Sequence, residues 1–328
     1  MNLLVVGGAG YIGSVTCQVL LQAGHKVVVV DNLSKGHRAA VSSQAVFFES
    51  DLGDGERIIE ICRSESIDTA LHFAAFTEVG ESVAAPDKYF DNNTIRTKSL
   101  LDALLRADVK RFIFSSTAAV YGEPLAVPIT EDHPKSPTNP YGWSKLFVEE
   151  ILRSYHQAYG LRSVCLRYFN AAGAAYGLGE DHHPESHLIP MILQVAQGKR
   201  ESIKIFGTDW DTPDGTCIRD FIHVADLASA HLKAVELLSE DSPGGAFNLG
   251  NGEGHSVLQA IQIARKVTGK TIPAVAAPKR PGDPARLVAS SVLARQVLGW
   301  TPAIPDLESI IASAWEWRLS HPQGYLES

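Results

Sequence analysis

Tyr141 and Lys145 stand four residues apart, and the chain opens with a glycine-rich run, Gly7-Gly8-Ala9-Gly10-Tyr11-Ile12-Gly13. A free phenol has a pKa of about 10. A nearby ammonium and the positive ring of an oxidised nicotinamide both favour the phenolate. At neutral pH such a phenolate can take a proton from a sugar hydroxyl while hydride leaves the same carbon for the nicotinamide. On one face of a helix, Lys145 lies a turn beyond Tyr141 and can also hold the nicotinamide ribose. A surface Tyr/Lys pair at this spacing is common. The pair gains meaning from the glycines, from Asp31 and from the hydroxyls of Ser115-Ser116-Thr117.

Gly7, Gly10 and Gly13 fall between an expected strand and an expected helix. The tight turn, the approach of backbone to a pyrophosphate and the packing of helix on strand each call for a residue without a side chain. The helix N-terminus then offers free N–H groups to the phosphates. The spacing is GxxGxxG rather than GxGxxG. Asp31 ends the second expected strand, where a carboxylate accepts hydrogen bonds from ribose hydroxyls and repels a 2′-phosphate. This favours NAD over NADP, with Lys35 and Arg38 nearby as a small counterweight. Thr117 follows a buried run, at the carboxyl end where ligands of open parallel sheets bind.

The elements that position these residues are short, apolar and β-branched. Runs at 3–6, 27–31, 46–48, 70–73, 111–114 and 163–168 read as strands covered on both faces, separated by helical patterns such as 12–23, 94–107 and 143–159. Alternation of this kind predicts an α/β fold, a Rossmann-type doubly wound parallel sheet. After about residue 170 the texture changes: 171–185 reads as a loop, 207–217 as a hairpin or long turn, and 306–319 as a final helix. The expected division is an NAD-binding domain over 1–175 and a smaller mixed α/β substrate-binding domain over 176–328, with segments free to cross between lobes.

The chain has 328 residues, 45% of them apolar, which supplies a large core. Its net charge of −8 and lack of a basic patch argue against nucleic acid and anionic membranes as partners. The four cysteines show no CxxC spacing, as in a reduced, cytoplasmic protein. No apolar stretch approaches the roughly 20 residues of a membrane span, and Met1–Val6 reads as a buried strand rather than a signal peptide. The pattern Glu180-Asp181-His182-His183-Pro184-Glu185-Ser186-His187 matches no zinc or di-iron spacing and reads as a polar loop, so no metal is expected.

Taken in order, these motifs resemble the extended short-chain dehydrogenase/reductase family and, within it, nucleotide-sugar 4-epimerases. The resemblance runs through Asp31-Asn32-Leu33, His72-Phe73-Ala74-Ala75, Val79-Gly80-Glu81-Ser82, Asp91-Asn92-Asn93 and Tyr141-Gly142-Trp143-Ser144-Lys145. It continues through Leu166–Asn170, Gly215–Val224, Phe247-Asn248-Leu249-Gly250, Arg280-Pro281-Gly282-Asp283 and His321–Tyr325. The resemblance implies that Tyr141 is the acid/base, tuned by Lys145, and that Thr117 hydrogen-bonds the sugar O4. It implies a tightly held NAD along Gly7, Gly10, Tyr11, Ile12, Gly13, Asp31, Asn32, Asp51, Leu52, Phe73, Ala74, Asn92, Tyr141, Lys145 and Tyr168, with Asp51 and Leu52 at the adenine. It assigns a UDP-sugar to Thr117, Tyr141, Asn170, His187, Leu188, Arg219, Arg280 and Asp283, with Leu287 lining the sugar pocket. A guanidinium suits phosphate oxygens on its own chemistry, and an ion pair of Arg219 with Asp220 is the plainer alternative.

The implied reaction interconverts UDP-galactose and UDP-glucose through a 4-keto sugar, in a homodimer formed by helices at 88–106 and 143–159. Departures from the family pattern are Val6 and Thr117 for the usual Thr and Ser, Thr77 for a Lys, and His187 for an Asn. Related dehydratases carry an acid in a Thr-x-Glu-Val-Tyr run. Here the run is Thr117-Ala118-Ala119-Val120-Tyr121, and alanine moves no protons, so water elimination is disfavoured. A net sugar-nucleotide oxidoreductase and a turnover-free nucleotide sensor are the other readings. Leu287 is intermediate between a tyrosine that excludes an N-acetyl group and a small residue that admits one, so N-acetylated, pentose and uronate sugars stay open.

Overall fold

A computed structural model describes residues 1–280 and 282–326. Six parallel strands are laid down first: β1 Asn2–Val6, β2 Lys26–Asp31, β3 Val46–Glu49, β4 Thr69–His72, β5 Arg111–Thr117 and β6 Arg162–Tyr168. The valines of β2 and the Leu3–Val6 run are all but inaccessible, so these strands are buried on both faces, as their unbroken apolar runs demand. The sheet order is β3-β2-β1-β4-β5-β6, followed by the strand Gly244–Leu249, which pairs parallel to β6 with Leu249 opposite Tyr168. The order reverses at β1, so the crevice beyond the carboxyl ends of β1 and β4 is the expected ligand site of a doubly wound sheet.

Gly244–Leu249 lies beyond the expected domain boundary, and so does the helix Val224–Ser239, which packs on α1 (Tyr11–Gln22) through Val15, Val224 and Ala228. The chain thus returns to its first lobe after leaving it. A second core is built from the helices Leu188–Ala196, Val257–Thr268 and Leu307–Ser320 and the parallel pair Ile203–Phe206 with Ala274–Ala277. Residues 207–217 form no paired strand; Trp210 N donates to Gly215 O at 3.0 Å, closing a long turn.

Two helices carry the site. The first, Pro140–Tyr159, starts earlier than the apolar periodicity at 143–159 indicated. Asn139 caps it by accepting from Gly142 N at 2.9 Å, Pro140 supplies the first turn, and Gly160 ends it at φ 70°. The second was expected at 94–107. Helical structure begins instead at Pro86–Tyr89, widens to a π-helical stretch over Phe90–Ile95 and continues as Arg96–Arg106. Such wide turns are frequent at functional sites. This one turns Asn93 inward, where Nδ2 donates to Phe76 O and Ser144 Oγ while Oδ1 accepts from Phe76 N. Asn93 therefore ties the segment after β4 to the helix bearing Tyr141.

Candidate active site

The carboxyl ends of β1, β2, β4, β5 and β6 open into one cleft with about 2230 Å³ of empty space, solvent at its mouth included. At its floor, a Cβ on Gly7 would lie 2.4 Å from Ala74 N, and one on Gly13 would lie 2.2 Å from Gly7 O. Neither glycine can carry a side chain, as the loop reading requires. α1 begins directly after Gly10 with no side-chain cap, so its first N–H groups face the cleft uncapped.

Asp31 is buried and does two jobs. Its Oδ2 accepts from Ala9 N and its Oδ1 from Leu33 N, each at 2.9 Å, bracing the glycine loop against β2. Burial pushes its pKa up, opposed by those two N–H groups, and the residue still lines the cleft. Gly10, Tyr11, Ile12, Asn32 and Leu52 line the same end, with Phe73, Ala74, Asn92 and Tyr168 farther along. Asp51 does not line it. Its carboxylate is engaged by Asn32 Nδ2 at 2.9 Å and Arg96 Nη1 at 2.8 Å.

Tyr141, Lys145 and Thr117 come together where β5 ends. Thr117 Oγ1 accepts from Ala119 N at 3.1 Å, which leaves its own hydrogen free, and the hydroxyl acts on the Tyr141 phenol in the direction of a lower pKa. Lys145 is almost fully buried; Nζ donates to Ser115 O at 2.9 Å and lies 4.9 Å from the centre of the Phe114 ring. Burial pushes its pKa down to about 7. Tyr141 differs from expectation: burial raises its pKa above the ordinary value, Thr117 works against this, and the Glu78 charge adds to it. Lys145 does not by itself lower the phenol, because a deeply buried amine near neutrality carries only part of a charge. A cationic ring beside the phenol acts in the same direction as Thr117.

Sequence reading missed His231. Tyr168 Oη lies 2.5 Å from its Nε2 and 3.1 Å from Ser115 Oγ, and His231 Nδ1 bonds Leu227 O at 2.8 Å. Burial depresses His231 to about 4, so its Nε2 is neutral and accepts the Tyr168 proton. This fixes a phenol in the cleft wall. The contact joins β6 to the Val224–Ser239 helix across 63 residues, and nothing local signals it.

The other end of the cleft is lined by Asn170, His187, Leu188, Arg219, Asp283 and Leu287. Asn170 Nδ2 donates to Asp220 O at 3.0 Å. Arg219 does not pair with Asp220. Its Nη1 donates to Ile218 O and Pro284 O at 2.9 Å each, and its Nη2 stands 3.7 Å from Asp283 Oδ1. Asp220 is fully buried and accepts instead from the backbone N–H groups of Asn251, Gly252 and Ala289. Arg280 is exposed, outside the lining, and stacked 3.7 Å over the Phe206 ring.

Glu180 to His187 are not an open polar loop. Glu180 and Glu185 are buried, and Glu180, His182, Glu185 and His187 turn their donor atoms to within 4.8 Å of one another.

Residues 3–250 match the profile of the "NAD dependent epimerase/dehydratase family". The UDP-glucose 4-epimerase of Halalkalibacterium halodurans is 54% identical to this chain over 99% of its length and 98% of the relative's. A solved UDP-glucose 4-epimerase from Brucella ovis in complex with NAD superposes with a TM-score of 0.93 at 46% identity, covering 96% of this chain and 97% of that one. The same enzyme from Bifidobacterium longum, in complex with NAD+ and UDP, gives 0.94 at 39% identity over 99% and 100% of the two chains. A glycine loop that admits no Cβ, a buried Tyr–Lys pair at a strand end and full-length likeness to these enzymes agree: this chain belongs to the NAD dependent epimerase/dehydratase family.

Proposed function

We propose that the protein is an NAD-dependent UDP-glucose 4-epimerase, interconverting UDP-galactose and UDP-glucose. The observation that carries the reading is the meeting of Tyr141, Thr117 and Lys145 at the end of β5, in one cleft with Arg219 and with alanines at 118 and 119. NAD, held along Gly7, Gly10, Gly13, Asp31 and Lys145, would supply the hydride acceptor and donor for the sugar C4. The chain's own part is to move the proton. Tyr141 removes it from the 4-hydroxyl, Thr117 holds O4 in line, and Tyr141 gives it back from the same side of the site once the 4-keto sugar has turned. Ala118 and Ala119 offer no second acid to expel a hydroxyl, which keeps the reaction at epimerisation.

For this cycle the dinucleotide must not leave. The crowded loop of Gly7, Gly10 and Gly13 and the brace from Asp31 support an NAD retained between turnovers, with Asn32, Leu52, Phe73, Ala74, Asn92 and Tyr168 along its length and Asp51 reached through Asn32. Lys145 is assigned to the nicotinamide ribose. On the substrate side, Asn170, Leu188, Arg219 and Asp283 anchor the UDP, Arg280 joins them from the exposed edge, and Leu287 bounds the sugar. Firm anchoring of the diphosphate beside looser walls at the hexose is what a turning intermediate requires. The reading divides the molecule into an NAD lobe and a UDP-sugar lobe, with 224–249 returned to the first. It also includes a homodimer, a cytoplasmic location consistent with four free, buried cysteines, and a place in galactose metabolism. Among the described residues no helix is long and apolar enough to cross a membrane.

The test follows deuterium at C4 of UDP-galactose. The reading predicts UDP-glucose that keeps its label, with no reduced nicotinamide released. Loss of label to solvent, or free NADH in step with product, would overturn it.

A further inference from the structure

We propose that Glu180, His182, Glu185 and His187 form a binding site for one divalent cation of zinc type. Four side chains from eight consecutive residues place one donor atom each within 4.8 Å of the other three. Around a tetrahedral ion with bonds of about 2.1 Å, donors stand about 3.4 Å apart. Three measured separations lie at or a little below that value: His187 Nδ1 to Glu180 Oε1 is 2.7 Å, His182 Nδ1 to Glu180 Oε1 is 3.1 Å, and His187 Nδ1 to Glu185 Oε1 is 3.4 Å. Two imidazoles and two carboxylates are a borderline donor set, suited to zinc and its neighbours rather than to calcium or magnesium.

Two atoms give the independent evidence. The Glu185 side chain is 1% exposed; its Oε1 accepts from Ser186 N and His187 N, yet its Oε2 has no hydrogen bond. The nearest cation to it is Arg318 at 3.8 Å. His187 Nδ1 is also buried without a hydrogen bond, although a carboxylate oxygen is 2.7 Å away. A proton shared along that line would make a hydrogen bond. A nitrogen that is close to a carboxylate but not hydrogen-bonded to it is open to a metal ion. Unmatched buried polar atoms are rare, and a charged one is costly. Two carboxylates with two deprotonated, metal-binding imidazoles carry −2, which a divalent ion would cancel.

Four protein ligands close the coordination sphere, so the ion is structural. It pins the 180–187 loop beneath the helix Leu188–Ala196 and against Arg318, whose Nη2 also donates to Glu180 O at 3.4 Å. The loop forms a cleft wall through Glu180, His182 and His187. The His187 imidazole is thereby assigned to the ion, and substrate meets this stretch through the helix start at Leu188.

The experiment uses the full-length protein without a histidine tag. It is treated with chelator, dialysed, and titrated with Zn2+ alone, with Co2+ as a spectroscopic substitute. The expected result is one Zn2+ per chain by elemental analysis, and Co2+ absorption of tetrahedral intensity. Glu185→Gln and His182→Asn should each weaken Zn2+ by more than the about 10–100-fold typical of losing an outer-sphere partner. His182 is partly exposed, so its variant keeps the test readable if Glu185→Gln does not fold. No Zn2+ retained above the level of the His182→Asn variant, with nitrogen NMR showing His182 and His187 doubly protonated, would overturn the proposal in favour of a proton-bridged network.

Discussion

At the scale of single residues, the surroundings of the Tyr141 phenol hold its proton too firmly for its task. Burial raises Tyr141, and Thr117 offsets only part of this. Tyr141→Phe removes the proton acceptor and keeps the ring. Turnover should fall by about 10²–10⁴-fold, the usual worth of a general acid/base, while NAD stays bound; steady-state rates and the absorbance of released nucleotide check both. Lys145 gives a pH prediction. Its pKa is depressed to about 7 in the fold, against about 10.4 for an unfolded chain. Below pH 7 both states are protonated and the fold bears the full cost of burying the charge. Between the two values the unfolded chain holds more protons, so this residue makes stability rise with pH. In protein stripped of nucleotide, Lys145→Met should therefore resist urea better than wild type at pH 6, with the gap narrowing by pH 9. A gap that does not change with pH would contradict the burial of a charged Lys145.

At the scale of elements, the sequence was legible where one segment decides its own structure. The valines of β2, the glycines before α1 and the Asn139-Pro140 start with Gly160 at the end each specify an element locally. It was illegible where the decision is distant. Asp241-Ser242-Pro243-Gly244-Gly245 reads as a turn, and only pairing with β6 makes Gly244–Leu249 a strand. The wide turn at Phe90–Ile95 depends on Asn93 finding Phe76 and Ser144. His231 and the buried ion pair of Arg167 with Glu149 are contacts of the same distant kind. In that pair Arg167 Nη2 lies 2.7 Å from Glu149 Oε2, Ser116 Oγ donates to Oε1 at 2.6 Å, and Nη1 reaches Tyr121 Oη at 2.8 Å. The network ties β5, β6 and the Pro140–Tyr159 helix beneath the catalytic residues. Arg167→Met leaves a carboxylate buried without its partner and should cost about 3–5 kcal/mol in urea denaturation. A loss below 1 kcal/mol would mean that the network relaxes freely.

At the scale of the whole molecule, one chain builds both halves of its cleft by leaving the sheet and coming back. The glycine-loop end admits only backbone, and the Arg219 end is held by carbonyls of 218 and 284. The proposed homodimer draws on the two site-bearing helices, where Ile95, Trp143 and Phe147 are 57%, 39% and 43% exposed. Apolar groups of that size gathered on one helical layer mark an interaction surface. Trp143→Asp with Phe147→Asp should convert dimers to monomers in sedimentation velocity; an unchanged sedimentation coefficient would move the interface elsewhere. As proposed, the protein epimerises a UDP-hexose with a dinucleotide it does not release between turnovers. The most direct measurement gives the purified protein UDP-galactose with no NAD added and follows UDP-glucose. The account predicts conversion to an equilibrium mixture at catalytic enzyme concentration. Protein that carries NAD yet forms no UDP-glucose would contradict it.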